Sequence, residues 1–195
     1  MGLFCLIVVE IIMPEFLNNP GKTDASVVIC THNRGEILRK SLQAVVTQNS
    51  DKYSFEIIVV DNGSTDDTKS VVDEMTLQND CLIRYFFEGE IGLSHARNTG
   101  VENAAGKIIL FTDDDAVPQQ NWLKNILDAF AYDRSHNLLD KSVMVVGGDV
   151  VPIWPDSNPP PWLHKSLYSY LGITKFNYSE PTKLSYPNYP FGVNI

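Results

Sequence analysis

Apolar positions along this chain gather into short, nearly unbroken runs. Ser26-Val27-Val28-Ile29-Cys30-Thr31, Phe55-Glu56-Ile57-Ile58-Val59-Val60, residues 82–87 and Ile108-Ile109-Leu110-Phe111 are rich in β-branched and aromatic side chains. Runs without alternation suit strands covered on both faces, as in a parallel sheet. Between them the spacing changes. Ile37, Leu38, Leu42, Val45 and Val46 recur at helical intervals. A second helix is predicted after Ser64-Thr65-Asp66-Asp67, whose Ser-x-x-acid spacing reads as a capping box with acids in the first turn. A third begins within Gly92-Leu93-Ser94-His95-Ala96-Arg97-Asn98-Thr99-Gly100 and ends near Ala105-Gly106, and a fourth covers about 121–132. One more strand, 143–146, leads into Gly147-Gly148-Asp149-Val150-Val151-Pro152. Strands alternating with helices at this spacing predict an α/β fold with a mainly parallel sheet and helices on both faces.

The texture changes after Pro152. Seven further prolines punctuate 153–195, a stretch that also carries Trp154, Trp162 and Tyr168, with one short helical candidate near 167–171. These aromatics can stack on a sugar ring or pack against other parts of the protein. Three regions are therefore expected: an N-terminal extension over 1–24, a ligand-binding α/β unit over 25–152, and a Pro- and aromatic-rich region over 153–195.

The most informative polar cluster is Asp113-Asp114-Asp115, directly after the apolar run 108–111. In open α/β sheets, ligands bind outside the carboxyl ends of the strands. Alternation along extended chain sends Asp113 and Asp115 one way and Asp114 the other. Two converging carboxylates repel unless a proton or cation lies between them. Mg²⁺ suits such a pair, because it takes one or two protein carboxylates and completes its shell with phosphate oxygens and water.

Charge and cysteine usage narrow the choice. A net charge of −9, with no Lys/Arg cluster, argues against nucleic acid as a partner. A diphosphate would then be held by a metal and a few placed donors. Cys5, Cys30 and Cys81 form no C-x-x-C pair, which excludes a zinc knuckle or redox motif and suits thiols in a reducing cytosol. Residues 3–13 are apolar apart from Glu10. That is too short to span a bilayer and lacks the basic start of a signal peptide. An extra strand, a membrane-surface contact, or sequence upstream of a natural start at Met13 each account for it, the last being preferred.

Four blocks in order carry a family resemblance. Val28-Ile29-Cys30-Thr31-His32-Asn33-Arg34, Ile58-Val59-Val60-Asp61-Asn62-Gly63-Ser64-Thr65-Asp66, Ala96-Arg97-Asn98-Thr99-Gly100 and Asp113-Asp114-Asp115 resemble family 2 glycosyltransferases of the GT-A fold, over roughly 25–152. The resemblance implies a Rossmann-like nucleotide-diphospho-sugar transferase fold. It also implies inverting transfer of a sugar from a nucleotide-diphosphate donor, most simply a UDP-sugar, to a saccharide or glycoconjugate acceptor, with Mn²⁺ or Mg²⁺. By position, Thr31, Asn33 and Arg34 line the nucleotide pocket through the first loop. Asp61 accepts a hydrogen bond from the base, and Arg97 lies near the nucleotide or diphosphate. Asp113 contacts the ribose or metal, Asp114 stands beside the nucleotide, and Asp115 binds the metal.

From the residues alone, some of these have quieter readings. Asp61 can cap the Asn62-Gly63 turn, Arg97 can be an ion-pair partner, and Asp114 can be a carboxylate that binds no ligand. His32 and His95 are read as satisfied loop and helix histidines, and Asp66 and Asp67 as helix-start charges. The family's catalytic base lies downstream of a glycine-asparagine segment that Tyr189-Pro190-Phe191-Gly192-Val193-Asn194-Ile195 resembles. The base is therefore expected beyond Ile195, the acceptor side truncated, and a donor-binding fragment without turnover is the alternative. The resemblance further implies a cytoplasmic protein, peripheral at the inner face of a membrane.

Overall fold

The computed structural model describes residues 7–9, 23–50, 52–136, 145–147, 149–154, 158–171 and 173. Four of the apolar runs become the strands β2 (Thr23–Thr31), β3 (Phe55–Asp61), β4 (Ile83–Phe87) and β5 (Gly106–Asp113), all parallel. Their order across the sheet is β4-β3-β2-β5. The chain thus builds outward from β2 to β4, then returns to the other side of β2 for β5. Where the order reverses, the loops leaving two adjacent strands diverge to opposite faces and leave a crevice between them. The register brings the ends of β2 and β5 level, with Cys30 opposite Asp113.

Alternation along each strand divides the core in two. Val27, Ile29, Ile57, Val59, Ile108 and Leu110 face one layer, formed by α1 (Gly35–Val46), α2 (Thr68–Gln78) and α4 (Trp122–His136). Val28, Ile58, Val60, Ile109 and Phe111 face α3 (Leu93–Asn103) through Ala96 and Val101. Both faces are covered, so strands with no polar face are the stable solution. Gly100 lets α3 lie close to the sheet, since a Cβ there would stand 2.4 Å from a Val28 methyl carbon.

At the opposite end of the sheet from the crevice, Glu56 is 2% exposed. It accepts hydrogen bonds from the Ser26 hydroxyl (2.6 Å), the Ala105 N–H (2.7 Å) and Arg84 Nη1 (3.0 Å). The Gly106 N–H donates to Ser26 Oγ at 2.8 Å. This network ties the entrances of β2, β3 and β5 together. A Cβ on Gly106 would meet Ala25 C and Ser26 N at 2.3 Å, backbone that cannot step aside without breaking the β2–β5 ladder. Gly106→Ala is therefore expected to destabilise the fold by about 3 kcal/mol. Urea unfolding checks this, and a loss under about 0.5 kcal/mol would show that the two strands can separate there.

The structure alters three expectations. α2 starts at Thr68, with Asp67 as its N-cap but no capping side-chain bond and no acid in its first turn. The capping box does not form, because Ser64 Oγ accepts the Asn33 N–H (2.8 Å). Asp66 accepts from the Gly35 N–H and, through its other oxygen, from Thr68 N–H and hydroxyl. The segment is recruited by the neighbouring loop before it can cap its own helix. Of the readings open for residues 3–13, the extra strand is realised over Ile7–Val9 (β1), which pairs antiparallel with Val145–Gly147 (β6). The short helical candidate near 167–171 is a 3₁₀ turn, Lys165–Leu171. Trp162 is 76% exposed, whereas Trp154 and Tyr168 are half-buried.

Candidate active site

The site begins with two loops stitched together at the carboxyl ends of β2 and β3. The Asn62 N–H donates to the Thr31 carbonyl (2.8 Å). His32 Nδ1 lies 2.6 Å from the Asn62 carbonyl, and its Nε2 lies 3.0 Å from the Asn33 amide nitrogen. That pairing places the ring proton on Nδ1 and leaves Nε2 as acceptor. Asn33 adopts the left-handed conformation, at φ 52°, which asparagine tolerates better than most residues. Its side-chain oxygen accepts the Thr65 N–H at 2.7 Å. These bonds make a stiff platform from two chain segments about thirty residues apart in sequence.

Asn62 extends the platform to a third loop. Its amide donates to the carbonyls of Glu88 (3.2 Å) and Glu90 (2.7 Å), and its oxygen accepts the Gly92 N–H (2.8 Å). That fixes the approach to α3 and sets Ile91 and Leu93 as an apolar wall. Across from them stand Asp113, Asp114 and Asp115, and the space between is a cleft of about 400 Å³ at the β2/β5 crevice.

The three carboxylates occupy different environments. β5 ends at Asp113, and Asp114-Asp115 lie in a turn closed by the Ala116 N–H to the Asp113 carbonyl. Asp114 turns inward: Oδ2 accepts the Thr31 hydroxyl (2.8 Å) and Oδ1 accepts Arg34 Nη1 (3.0 Å). Asp115 is exposed and meets the same guanidinium nitrogen at 3.4 Å. Asp113 is pushed up to about 6 by burial and by the neighbouring Asp115 charge, against the pull of Arg97, with a further upward push from Asp114. The strand ends before the alternation expected of the triplet can continue: in the turn Asp114 is held by Thr31 and Arg34 and Asp115 is exposed, and all three line the cleft.

Thr31, Arg34, Asp113, Asp114 and Asp115 are thus brought to one cleft. Asn33, Asp61 and Arg97 are not among its lining residues. Asn33 works as a pin between loops. Asp61, 2% exposed, accepts the Ser64 N–H (2.8 Å) on one oxygen and the Tyr85 hydroxyl (2.7 Å) on the other, the turn-capping arrangement. Arg97 is half-buried with its guanidinium 5.8 Å from the Phe111 ring centroid, and its charge acts on Asp113. His95 is paired with Glu90 at 3.4 Å. Sequence reasoning missed Asn62 as the organiser of the third loop, and Cys30, Ile91 and Leu93 as cleft lining. The apolar pair bracketing Gly92 before a helix was the available signal. Asp149 and Asp156 are the carboxylates nearest in sequence to the expected base; the first does not line the cleft, and the second, with 174–195, lies outside the described residues.

The donor set fits a hard divalent cation. Asp113 is pushed up by burial and by like charge that Arg97 and Arg34 only partly offset, Asp115 is accessible, and both offer only oxygen. Among the described residues no group of three His, Cys, Asp or Glu side chains could hold a metal by itself. A cation here would complete its shell from a phosphate-bearing ligand and water, as Mg²⁺ ordinarily does.

Comparison with known proteins identifies the family. A family model described as Glycosyl transferase family 2 matches residues 26–191. The chain is 34% identical over 131 residues to Glycosyltransferase AglE of Haloferax volcanii, covering 67% of this chain and 40% of that protein. It is 39% identical over 92 residues to the GalNAc(5)-diNAcBac-PP-undecaprenol beta-1,3-glucosyltransferase of Campylobacter jejuni, covering 46% of this chain and 29% of that protein. Among solved structures, S. aureus TarS superposes with a TM-score of 0.52 at 25% identity, over 57% of this chain and 20% of that one. TarS 1-349 in complex with UDP-GlcNAc gives 0.50 at 27%, over 58% and 32%. The chain spans less than half the length of these proteins.

Proposed function

We propose, for a chain that belongs to glycosyl transferase family 2, that the β2/β5 cleft binds a nucleotide-diphosphate sugar, a UDP-sugar first, and that the sugar passes to a saccharide or glycoconjugate acceptor with inversion. The observation that carries this is the convergence of Thr31, Arg34 and the three aspartates on one cleft at the point where strand order reverses. The UDP-GlcNAc held by TarS 1-349 supports the donor class.

Each group has a role in that reading. Asp113 and Asp115 would hold Mn²⁺ or Mg²⁺, which as a Lewis acid supplies charge stabilisation to the departing diphosphate. Arg34 presents its guanidinium to the same diphosphate, and Arg97 supports Asp113 electrostatically. Asp114 keeps Arg34 and Thr31 in place beside the nucleotide, and Asn33 holds the first loop against the second. Asp61, buried behind the cleft, keeps the turn that carries Asn62 in place through its bonds from Ser64 and Tyr85. Ile91 and Leu93 exclude water from one side of the ligand. In the transfer, the acceptor oxygen bonds to the anomeric carbon, the bond to the diphosphate oxygen breaks, and the leaving group keeps the electron pair. A base takes the acceptor's proton, and no described residue is assigned to it.

Residues 25–152 are the donor-binding unit in this reading, and 153–195 belong to the acceptor side. The relative whose name specifies an undecaprenol-linked saccharide supports a lipid-linked acceptor. In this reading the chain works on the cytoplasmic side, at the inner face of a membrane. Among the described residues no helix is long and apolar enough to cross a membrane.

Isothermal titration with UDP, GDP and dTDP, each with Mn²⁺ and again with EDTA, tests the donor site. UDP binding that requires Mn²⁺ is the expected result, and no binding of any of the three by a folded chain would sink it. A second arm follows release of UDP from UDP-GlcNAc with a lipid-linked saccharide present. Release shows turnover, and binding without release leaves the chain a donor-binding unit.

A further inference from the structure

Arg34 stands between two carboxylates of unlike character. Its Nη1 donates to Asp114 Oδ1 at 3.0 Å and to Asp115 Oδ2 at 3.4 Å. The Asp114 side chain is 7% exposed and the Asp115 side chain 58%. Asp114 is also held by the Thr31 hydroxyl, so both its oxygens are engaged. One contact is a short bond to a fixed partner, the other a long one to a side chain free to turn. The remaining guanidinium N–H groups, on Nη2 and Nε, take no partner among the described residues.

From this asymmetry we infer that Arg34 is a latch on Asp115, competing with a divalent cation for that carboxylate and handing its N–H groups to the donor diphosphate once Asp115 turns away. This rests on the donor-site reading above. Arg34 is a positioning residue here, anchored throughout by Asp114. Three consequences follow from the competition. The cation alone binds weakly, because Asp115 must first leave Arg34. A diphosphate repays that loss by receiving the guanidinium. Cation and nucleotide therefore bind with positive coupling, and by linkage each strengthens the other equally. A guanidinium suits the exchange, since its planar fork of five donors can keep one carboxylate while engaging a phosphate.

The test is a Mn²⁺ titration without nucleotide, read by the electron paramagnetic resonance of free Mn²⁺, on the wild type, Arg34→Gln and Arg34→Lys. Arg34→Lys keeps a cation over the buried Asp114 and so guards against unfolding, and circular dichroism checks both variants. Loss of an exposed ion pair predicts that Arg34→Gln binds Mn²⁺ about three- to fivefold more tightly. With Mn²⁺ saturating, the same variant is expected to bind UDP about tenfold more weakly, as loss of a charge-assisted bond requires. Arg34→Lys shifts Mn²⁺ binding in the same direction by less. If the wild type binds Mn²⁺ and both variants match it, the latch is overturned and the donor site stands. Tighter Mn²⁺ with unchanged UDP affinity overturns the handover. If none of the three binds Mn²⁺ while UDP still binds, the cation reading fails and the latch with it.

Discussion

Asp115→Ala and Asp113→Asn are each expected to remove Mn²⁺-dependent UDP binding, with a loss of about 100-fold in affinity, since each takes away one of the two carboxylates for the ion and even a ligand's supporting partner is worth about 10- to 100-fold. The two variants differ in what they do to the fold. Asp115 is exposed and among the described residues its polar contact is Arg34 at 3.4 Å, so its removal leaves stability nearly unchanged. Asp113 is raised from an ordinary 3.8 to about 6, first by burial and then by the Asp115 charge. A carboxyl raised in the folded state holds its proton more tightly there than in the unfolded chain. Its favourable contribution is present below about pH 4 and is lost as pH rises towards about 6, leaving a charged group that costs stability at neutrality. Without metal, Asp113→Asn is thus expected to be more stable than the wild type near neutral pH, by about 1 kcal/mol after allowing for solvent screening, and no more stable near pH 4. Thermal unfolding at the two pH values with EDTA measures it. Equal stabilities at both would mean that the triplet holds no repulsion for a cation to relieve. A site that trades stability for ligand binding is a common feature of function.

Glu56→Ala is expected to destabilise the fold by about 3 kcal/mol, because it leaves the buried Ser26 hydroxyl and the half-buried Ala105 N–H without their acceptor and Arg84 with only the Asn103 carbonyl among the described residues. The residue is far from the cleft, so UDP affinity per folded molecule stays at the wild-type value. Burial alone would push the Glu56 carboxyl up. The bonds from Ser26, the Ala105 N–H and Arg84 outweigh it and hold the group below its ordinary 4.5. A depressed carboxylate contributes stability above its unfolded value and loses it as pH falls through the folded one. The gap between wild type and Glu56→Gln should therefore narrow on acidification below about pH 4.5. Urea midpoints across that range decide the matter. A gap independent of pH would show that the charge on Glu56 contributes nothing and only its shape matters.

Much of this protein is legible in its sequence. Local pattern suffices where one physical force dominates a short window. The unbroken runs at 27–30, 57–60 and 108–111 must be covered on both faces, and that alone selects a parallel sheet between helix layers. The place of Asp113-Asp114-Asp115 at a strand's carboxyl end pointed to a ligand crevice, and the four ordered blocks pointed to the family that the comparisons established.

The tertiary structure decided how polar groups were shared between distant segments. Ser64 and Asp66 look like the capping of their own helix, yet they serve Asn33 and Gly35 from the other loop. Asp114 and Asp115 are adjacent and chemically identical, but Thr31 and Arg34 take the first inward and leave the second to the cleft. Asn62 reads as half of a tight turn and proves to hold the loop that carries Ile91 and Leu93. Sequence determines which groups must find partners, since a buried donor or acceptor left alone costs free energy. Which partner each one finds depends on the strand order that sets β2 between β3 and β5, and that is settled only when the whole sheet assembles.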